Sequence, residues 1–193
     1  AASGKVIWQR DLMKDLGVTK PEWGFAGSPL VEGNLLILNL GGAGTAVDKT
    51  SGKVLWTSDT KASGYATPIP FNAGQERAVA LFSGKALVGV RVKDGKELWR
   101  HPWVTKWDIN AADPILLGDN IFVSTFDRGC ALLKPGSEAP GVVWENANMA
   151  NHFNSCVLWN GFLYGVHGNT DQPEKDLRCL DAHAHLGNFE IEH

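Results

Sequence analysis

A short phrase of the form Gly-x-x-x-Trp recurs along the chain and constrains the fold more than any other sequence feature. It reads Ser3-Gly-Lys-Val-Ile-Trp8, Ser51-Gly-Lys-Val-Leu-Trp56 and Asp94-Gly-Lys-Glu-Leu-Trp99, with a weaker copy in Pro140-Gly-Val-Val-Trp144. The copies follow one another roughly every 45 residues. Four-stranded propeller blades and some helical repeats both have periods in this range, so the period alone leaves both folds open.

The segments between the tryptophans separate these two folds. In the first full unit the apolar runs are short, and turns containing Gly or Asn divide them; the runs are 29–31, 35–39, 45–48 and 53–56. A helical repeat needs about ten or more residues without such breakers. The sequence therefore predicts four short strands in each unit and excludes helical repeats.

The same four-strand template fits three later units. We therefore predict an all-β chain in one partial propeller domain of about four four-stranded blades, approximately 26–58, 65–101, 111–146 and 153–193. Residues 3–10 are predicted to be the last strand of a preceding blade, which leaves one surplus strand at the N-terminus. The fourth unit is the least regular, because its predicted last strand, Phe189–Ile191, has Ile191 where Trp is expected.

The phrase Ala46-Val-Asp-Lys-Thr-Ser-Gly-Lys-Val-Leu-Trp56 resembles the repeat of the pyrroloquinoline-quinone-like (PQQ-like) propeller superfamily, A-L-D-x-x-T-G-x-x-x-W. The likeness covers almost the whole chain, although Lys134 follows the third strand of unit three and the pattern departs after Asp181. It implies a WD40-like ring of seven or eight blades in a bacterial protein that is periplasmic or extracellular. The superfamily includes quinoprotein alcohol dehydrogenases, polyvinyl-alcohol-dehydrogenase-like proteins and outer-membrane assembly lipoproteins, so the motif is specific for fold and poorly specific for function.

Charge and motif content exclude several functional classes. The formal net charge is −3 and the two signs are interspersed, which does not favour a nucleic-acid partner. The longest apolar runs, such as 35–38, are far too short for a membrane span. Gly41-Gly-Ala-Gly44 joins two predicted strands and so does not match a dinucleotide-binding loop, and no G-x-S-x-G hydrolase elbow is present.

Four blades would leave sheet faces and edges bare, which raises the question of how the ring closes. The sequence leaves three answers open. The chain could be a fragment of a longer array, or two copies could form a homodimer that closes an eight-bladed ring. In the third answer, residues 6–8 of a second copy form the strand that completes the fourth unit.

The loops before the first strand of each blade are predicted to meet at one end of the central channel. Each loop ends on a small polar residue: Ser28, Thr67, Asp113 or Ser155. Because this feature recurs in every unit, we assign it a structural task, a side-chain hydrogen bond that caps the start of the strand.

The loop residues that do not repeat are better candidates for function. They provide an aromatic rim with amides, one carboxylate and one imidazole, from Trp23, Phe25, Tyr65, Trp107, Asp108, Asn110, His152 and Asn154. Such a set suits a sugar, a peptide or a planar cofactor. The alternative is that the aromatics plug the channel and the polar groups hold the loops together.

No cofactor is predicted from the residues themselves. Under the alternative that the chain is part of a quinone-dependent oxidoreductase, the resemblance implies bound PQQ and Ca²⁺, with Asp108 as the best candidate base. The adjacent cysteines of quinoprotein alcohol dehydrogenases are missing, and Asp108 with Asn110 gives too few ligands for Ca²⁺. A lyase or hydrolase that uses His152 and Asp108 is a weaker alternative.

Metal binding is also not predicted. His183 and His185 would share a face on a strand, but no Cys or carboxylate stands at a familiar ligand spacing. Cys130, Cys156 and Cys179 are interpreted as small buried residues on strands. The sequence thus favours a non-catalytic scaffold or a module that binds a protein, a peptide or a sugar.

Overall fold

The computed structural model describes residues 3–136, 138–169, 173 and 175–182, and it contains four antiparallel sheets in chain order. Three sheets have four strands and the last has three among these residues. Within each sheet every strand pairs with its neighbours in sequence. This is the meander of a propeller blade, and we number the sheets as blades one to four.

The strand boundaries follow the predicted apolar runs. Blade one contains β1 (Leu30–Glu32), β2 (Leu35–Leu38), β3 (Thr45–Asp48) and β4 (Val54–Thr57). Blade two contains β5 (Ile69–Ala73), β6 (Glu76–Phe82), β7 (Ala86–Arg91) and β8 (Glu97–Pro102). Blade three contains β9 (Ile115–Leu117), β10 (Asn120–Thr125), β11 (Gly129–Lys134) and β12 (Gly141–Asn146). Blade four contains β13 (Val157–Trp159), β14 (Phe162–His167) and β15 (Asp176–Asp181).

The core lies between the blades, because the second and third strands of blades two and three are buried on both faces. In β6, Val79 and Leu81 pack towards blade one, whereas Ala80 and Phe82 pack in the cluster shared with blade three. Side chains of a strand alternate between its two faces, so one strand contributes to two neighbouring cores. The blades are therefore held together mainly by apolar burial between sheets.

The tryptophan of the repeated phrase joins one blade to the next. The indole Nε1 of Trp56 donates to the carbonyl of Val92 at 2.9 Å, and its ring lies against Gly95 in the next blade. Gly95 has φ +74°, a conformation that favours glycine, and a Cβ there would lie 2.7 Å from the indole. Glycine is thus required both by the turn and by the ring that covers it.

The N-terminal segment repeats this contact without belonging to a sheet. Trp8 donates from Nε1 to the carbonyl of Lys49 at 3.0 Å and covers Gly52, as Trp56 does one blade later. Residues 3–10 were predicted as the surplus strand, yet they pair with none of the strands in the described part of the chain. The segment therefore has the position of a preceding blade's last strand but not its hydrogen bonds.

Two further features complete the described fold. A short helix that the sequence did not predict, α1 (Leu12–Leu16), begins at Asp11, whose side chain accepts a hydrogen bond from the Lys14 N–H. The predicted strand 189–191 and the pair His183 and His185 lie outside the described residues. None of the helices in the described ranges is long and apolar enough to cross a membrane.

Candidate axial pocket and aromatic rim

The small polar residues that precede the first strands form hydrogen bonds between blades near the axis. The backbone N–H of Thr67 donates to Asp113 Oδ1 at 2.6 Å, and the N–H of Asp113 donates to Ser155 Oγ at 2.9 Å. A side-chain-to-backbone bond was predicted at these positions. Both bonds, however, run from one blade to the next, so they hold neighbouring strand starts together.

These residues line a pocket of about 310 Å³, which we call the axial pocket. Its walls are Trp23, Ala26, Ser28, Tyr65, Thr67, Ile109, Ala111, Asp113, Phe153 and Ser155. Eight of these ten form four pairs, one pair from each blade, in which the second residue is the small polar residue and the first stands two positions earlier. Residues two apart in an extended segment face the same side, so every loop presents one such pair to the axis.

A second cavity of about 570 Å³ lies beside it, and we call it the outer cavity. Its lining consists of Thr19, Lys20, Pro21, Glu22, Trp23, Ala62, Ser63, Tyr65, Trp107 and Asp108. Trp23 and Tyr65 belong to both linings, and their ring centroids are 6.3 Å apart at a 57° tilt. These two side chains thus form the partition between the axial pocket and the outer cavity.

Tyr65 is the more buried of these two aromatics and is 9% exposed. Its Oη accepts a hydrogen bond from the Trp23 N–H at 3.5 Å. Burial raises the pKa of the Tyr65 hydroxyl, and the nearby negative charges of Glu22 and Asp108 raise this pKa further, against the lowering effect of the Trp23 N–H. The phenol is therefore neutral at ordinary pH and can act as a hydrogen-bond donor.

The loop that carries Trp107 and Asp108 has a strained backbone. Both residues have positive φ, +68° and +55°, which is uncommon for residues with a side chain. Trp107 is left 66% exposed, and Lys106 lies over its ring at 5.5 Å from the centroid. The Asp108 carboxylate forms an ion pair with Lys85 at 3.5 Å. Strain of this kind persists where surrounding structure imposes it, and it often marks a functional loop.

Four of the predicted site residues lie elsewhere. Asn110 is fully buried: its Nδ2 donates to two backbone carbonyls and its Oδ1 accepts from the Thr105 hydroxyl. Phe25 lines a separate cavity beside α1. Asn154 donates to the carbonyl of Val166 at 3.1 Å, and His152 stacks on Phe153 with 3.7 Å between ring centroids. The structure thus brings Trp23, Tyr65, Trp107 and Asp108 together around the outer cavity.

Phe153 is an axial-pocket residue that the sequence analysis missed. It is 63% exposed and stands two positions before Ser155. Tyr65 has the same relation to Thr67, whereas Ala26 and Ala111 occupy the equivalent positions in blades one and three. The two-residue spacing, applied to all four loops, is the signal that could have found it.

Two of the three cysteines behave as buried apolar residues. Burial raises the pKa of both Cys130 and Cys156 to about 12, so each remains a neutral thiol. Cys130 Sγ lies 3.3 Å from Asn146 Oδ1, and Cys156 Sγ lies 3.2 Å from Asn151 Oδ1. In the part of the chain that the structure describes, no three His, Cys, Asp or Glu side chains come together as a metal site.

Comparison with known families identifies the repeat. A family model described as "Outer membrane protein assembly factor BamB" matches residues 1–183. The chain belongs to this family. A search of curated proteins finds no match. The family assignment agrees with the PQQ-like repeat seen in the sequence and with the four successive antiparallel sheets.

Solved structures confirm the fold. BamB from Moraxella catarrhalis matches with a TM-score of 0.54 and 15% identity over 82% of this chain and 47% of that one. The quinohemoprotein alcohol dehydrogenase ADHIIG from Pseudomonas putida HK5 matches with a TM-score of 0.56 and 11% identity over 84% of this chain and 33% of that one. The computationally designed Ika4 protein gives a TM-score of 0.54 and 9% identity, over 83% and 93% respectively.

These likenesses establish a PQQ-like β-propeller, and at such identities they show the fold alone. The chain spans about half the length of the BamB structure and a third of the dehydrogenase. It spans nearly all of the designed protein.

Proposed function

We propose that this chain is a non-catalytic propeller module that binds a protein segment at the end of the blades where the axial pocket and the outer cavity meet. The observation that carries the proposal is the arrangement of Trp23 and Trp107, which are 58% and 66% exposed at the border of the outer cavity. Exposed aromatic side chains beside a formed cavity are typical anchors of protein interfaces. A sugar would use the same aromatic faces, and the experiment below compares peptides with sugars.

The polar side chains of the rim support binding over catalysis. Asp108, the candidate base, forms an ion pair with Lys85, and His152 stacks against Phe153 and Phe126. Both candidate catalytic groups are thus engaged with neighbouring side chains. A lyase or hydrolase that relied on these two residues would need them directed at a substrate.

The predicted carboxylate–amide pair, Asp108 and Asn110, does not fit a quinone–calcium centre. The amide of Asn110, one half of the predicted carboxylate–amide pair, is buried and bonded to Ser83, Trp103 and Thr105. Asp108 is the other half, and a single carboxylate beside a lysine does not supply the six to eight oxygen ligands that Ca²⁺ takes. The oxidoreductase alternative therefore gains no support from these residues.

A direct test selects peptides from a displayed library on the immobilised chain and measures the affinity of the selected peptides by calorimetry. We expect Trp107→Ala to weaken binding at least tenfold, because removal of an interface tryptophan typically costs about 2 kcal/mol or more. Val142→Ala is the control, since Val142 is 50% exposed on β12 at the outer edge of blade three. Equal affinity of Trp107→Ala and the unaltered chain would refute the proposal, and a matched panel of oligosaccharides that bound instead would do so too.

A second copy of the chain is the partner that we propose for blade four. The face of this blade that points away from blade three is apolar and exposed, and it consists of Val157, Trp159, Phe162, Tyr164, Val166 and Leu177. Trp8 already lies on blade one as the last strand of a preceding blade would. In a ring of two copies, residues 3–8 of one copy would lie beside β15 of the other and complete an eight-bladed homodimer.

Light scattering tests this closure. We expect a mass of twice 20.9 kDa, and we expect Leu177→Lys to return the protein to the monomer because a charge would be buried in the interface. A monodisperse 20.9 kDa species at high concentration would overturn the homodimer.

We further propose a periplasmic or extracellular location for the parent protein. The support is the family description, which names an outer-membrane assembly factor. Fractionation of cells that express the tagged parent protein would test it, and recovery from the cytoplasmic fraction alone would refute it.

A further inference from the structure

Asp113 is the one charged member of the small polar series at the axis. The hydroxyl of Ser155 accepts the Asp113 N–H at 2.9 Å, and the Asp113 carboxylate accepts the Thr67 N–H in the same way one blade earlier. A hydroxyl therefore suffices for this bond between blades. The negative charge of Asp113 is not explained by its structural task.

This charge has no cationic partner in the described part of the chain. Asp113 is half-buried, and none of the ion pairs formed there includes it. The axial pocket itself is lined by no Lys, Arg or His among these residues. A charge that is partly removed from water costs free energy unless a counter-charge compensates it. A bound cation would supply that counter-charge.

The walls of the axial pocket also suit a cation. Aromatic rings from Trp23, Tyr65 and Phe153 surround it, and the faces of such rings attract ammonium groups. Ala26 and Ala111 stand at the equivalent positions of blades one and three, so two of the four blades leave space between the rings.

The surroundings of the pocket add negative charge on one side. Glu22 and Asp108 lie close enough to the Tyr65 hydroxyl for their charges to raise its pKa. Lys20 lines the outer cavity and Lys85 pairs with Asp108, which reduces this field at the rim. The carboxylate of Asp113 thus remains the main charge available to a ligand inside the axial pocket.

We propose that the axial pocket binds the side-chain ammonium of a lysine, with Asp113 as its counter-ion and Trp23, Tyr65 and Phe153 as its walls. The lysine would belong to the protein segment bound at the rim, so this inference rests on the proposed function. Lysine fits better than arginine because Oδ1 of Asp113 is already bonded to the Thr67 N–H. One free carboxylate oxygen matches an ammonium, whereas the guanidinium fork prefers both oxygens.

Small probes test the pocket without knowledge of the partner. N-acetyl-lysine methylamide, the corresponding arginine compound and the uncharged norleucine compound are titrated into the full chain, and the indole signals are followed by NMR. We expect the lysine compound to bind at least tenfold more tightly than the norleucine compound and to shift the Trp23 indole. The preference over norleucine should weaken as salt concentration rises.

Asp113→Ser is the decisive variant, because it removes the negative charge and supplies a hydroxyl that can accept the Thr67 N–H, as the Ser155 hydroxyl accepts the Asp113 N–H. We expect it to retain the thermal unfolding midpoint within a few degrees and to lose the preference for lysine over norleucine. Asp119→Asn is the matched control, an exposed carboxylate in the turn between β9 and β10 whose loss should leave that preference in place. A lysine preference that survives in Asp113→Ser, or none in the unaltered chain, overturns the inference.

The outcomes separate this inference from the proposed function. Loss of peptide affinity in Trp107→Ala without any lysine preference would leave the rim as a binding site and reject the lysine pocket. A lysine preference that depends on Asp113, in a chain that selects no peptide through Trp107, would reject the rim and retain the pocket. If the arginine compound bound more tightly than the lysine compound, the assignment of lysine would be wrong.

Discussion

The junction between blades one and two and the junction between blades two and three use the same tryptophan of the repeat in different ways. Trp56 extends forward, donates to the carbonyl of Val92 and covers Gly95 of the next blade. Trp99 lies over Gly89 of its own blade, where a Cβ would be 2.2 Å from the indole. Its Nε1 is buried and has no hydrogen-bond partner in the described residues.

The reason lies in the blade that receives the tryptophan. In blades one and two the Gly of the phrase lies in a five-residue connection between the third and fourth strands, whereas in blade three this connection, 135–140, is one residue longer and Gly141 begins the fourth strand. Other residues stabilise the junction between blades two and three, which we call the second junction. Trp103, which is fully buried, donates from Nε1 to Thr125 Oγ1 at 2.9 Å, and Arg128 lies over its ring at 3.9 Å.

The two junctions therefore share buried apolar packing between the sheets but differ in the hydrogen bond of the tryptophan. The cluster between blades two and three includes Phe71, Trp99, Ile121 and Leu133, all buried. Burial of that much apolar surface can outweigh one unsatisfied indole N–H, which costs about 1–3 kcal/mol.

The largest effect is expected at Gly89, on which the second junction depends. Gly89→Ala would place a methyl group against the rigid Trp99 ring and should lower the free energy of unfolding by about 3 kcal/mol. Urea unfolding followed by circular dichroism measures this. Gly141→Ala is the control, because a Cβ at Gly141 meets nothing within 4 Å, and it should be neutral or slightly stabilising. If Gly89→Ala lowered the free energy of unfolding by less than about 1 kcal/mol, the Trp99 ring would be able to move away from residue 89 at little cost.

An intermediate effect should distinguish the two tryptophans themselves. Trp56→Phe removes a hydrogen bond and leaves the Val92 carbonyl without its donor, whereas Trp99→Phe removes an N–H that has no acceptor. We expect Trp56→Phe to lower the free energy of unfolding by about 1 kcal/mol more than Trp99→Phe does. Equal losses in the same denaturant series would mean that the bond to Val92 adds nothing to packing.

The smallest effect is expected from pH. Burial lowers the pKa of His101, which lies beside Trp103, and the Arg128 charge lowers it further, against the opposing effect of Glu145. The unfolded chain takes up this proton at about pH 6.5, before the folded chain does. The free energy of unfolding should therefore be highest above that pH and decrease as pH falls below it.

The check is the slope of unfolding free energy between about pH 7 and about pH 5. His101→Gln should reduce this slope. Some pH dependence should remain, because burial and the Arg178 charge also lower the pKa of His167 in blade four. A slope unchanged by His101→Gln would exclude the second junction as its source.

Much of this architecture could be predicted because its signals are local. The strand starts and turns follow from β-branched runs and glycines within a few residues. Three of the four sheets contain the predicted four strands, and the fourth has three strands among the described residues. Trp23, Tyr65, Trp107 and Asp108 were predicted as site residues from loop position alone; they line one cavity, and their role in binding stays a prediction. Phe153 was missed because its role depends on its pairing with Ser155 at the axis.

The sequence by itself determined the blades, their order and the polar series at the strand starts, because each depends on neighbouring residues and the two-residue alternation of a strand. Only the tertiary structure decided what each residue faces. It buried Asn110, placed Trp99 over Gly89 of the same blade, and left Asp113 without a cationic partner among the described residues. The burial of Asn110 and the surroundings of Asp113 depend on contacts between neighbouring blades, which no local pattern records.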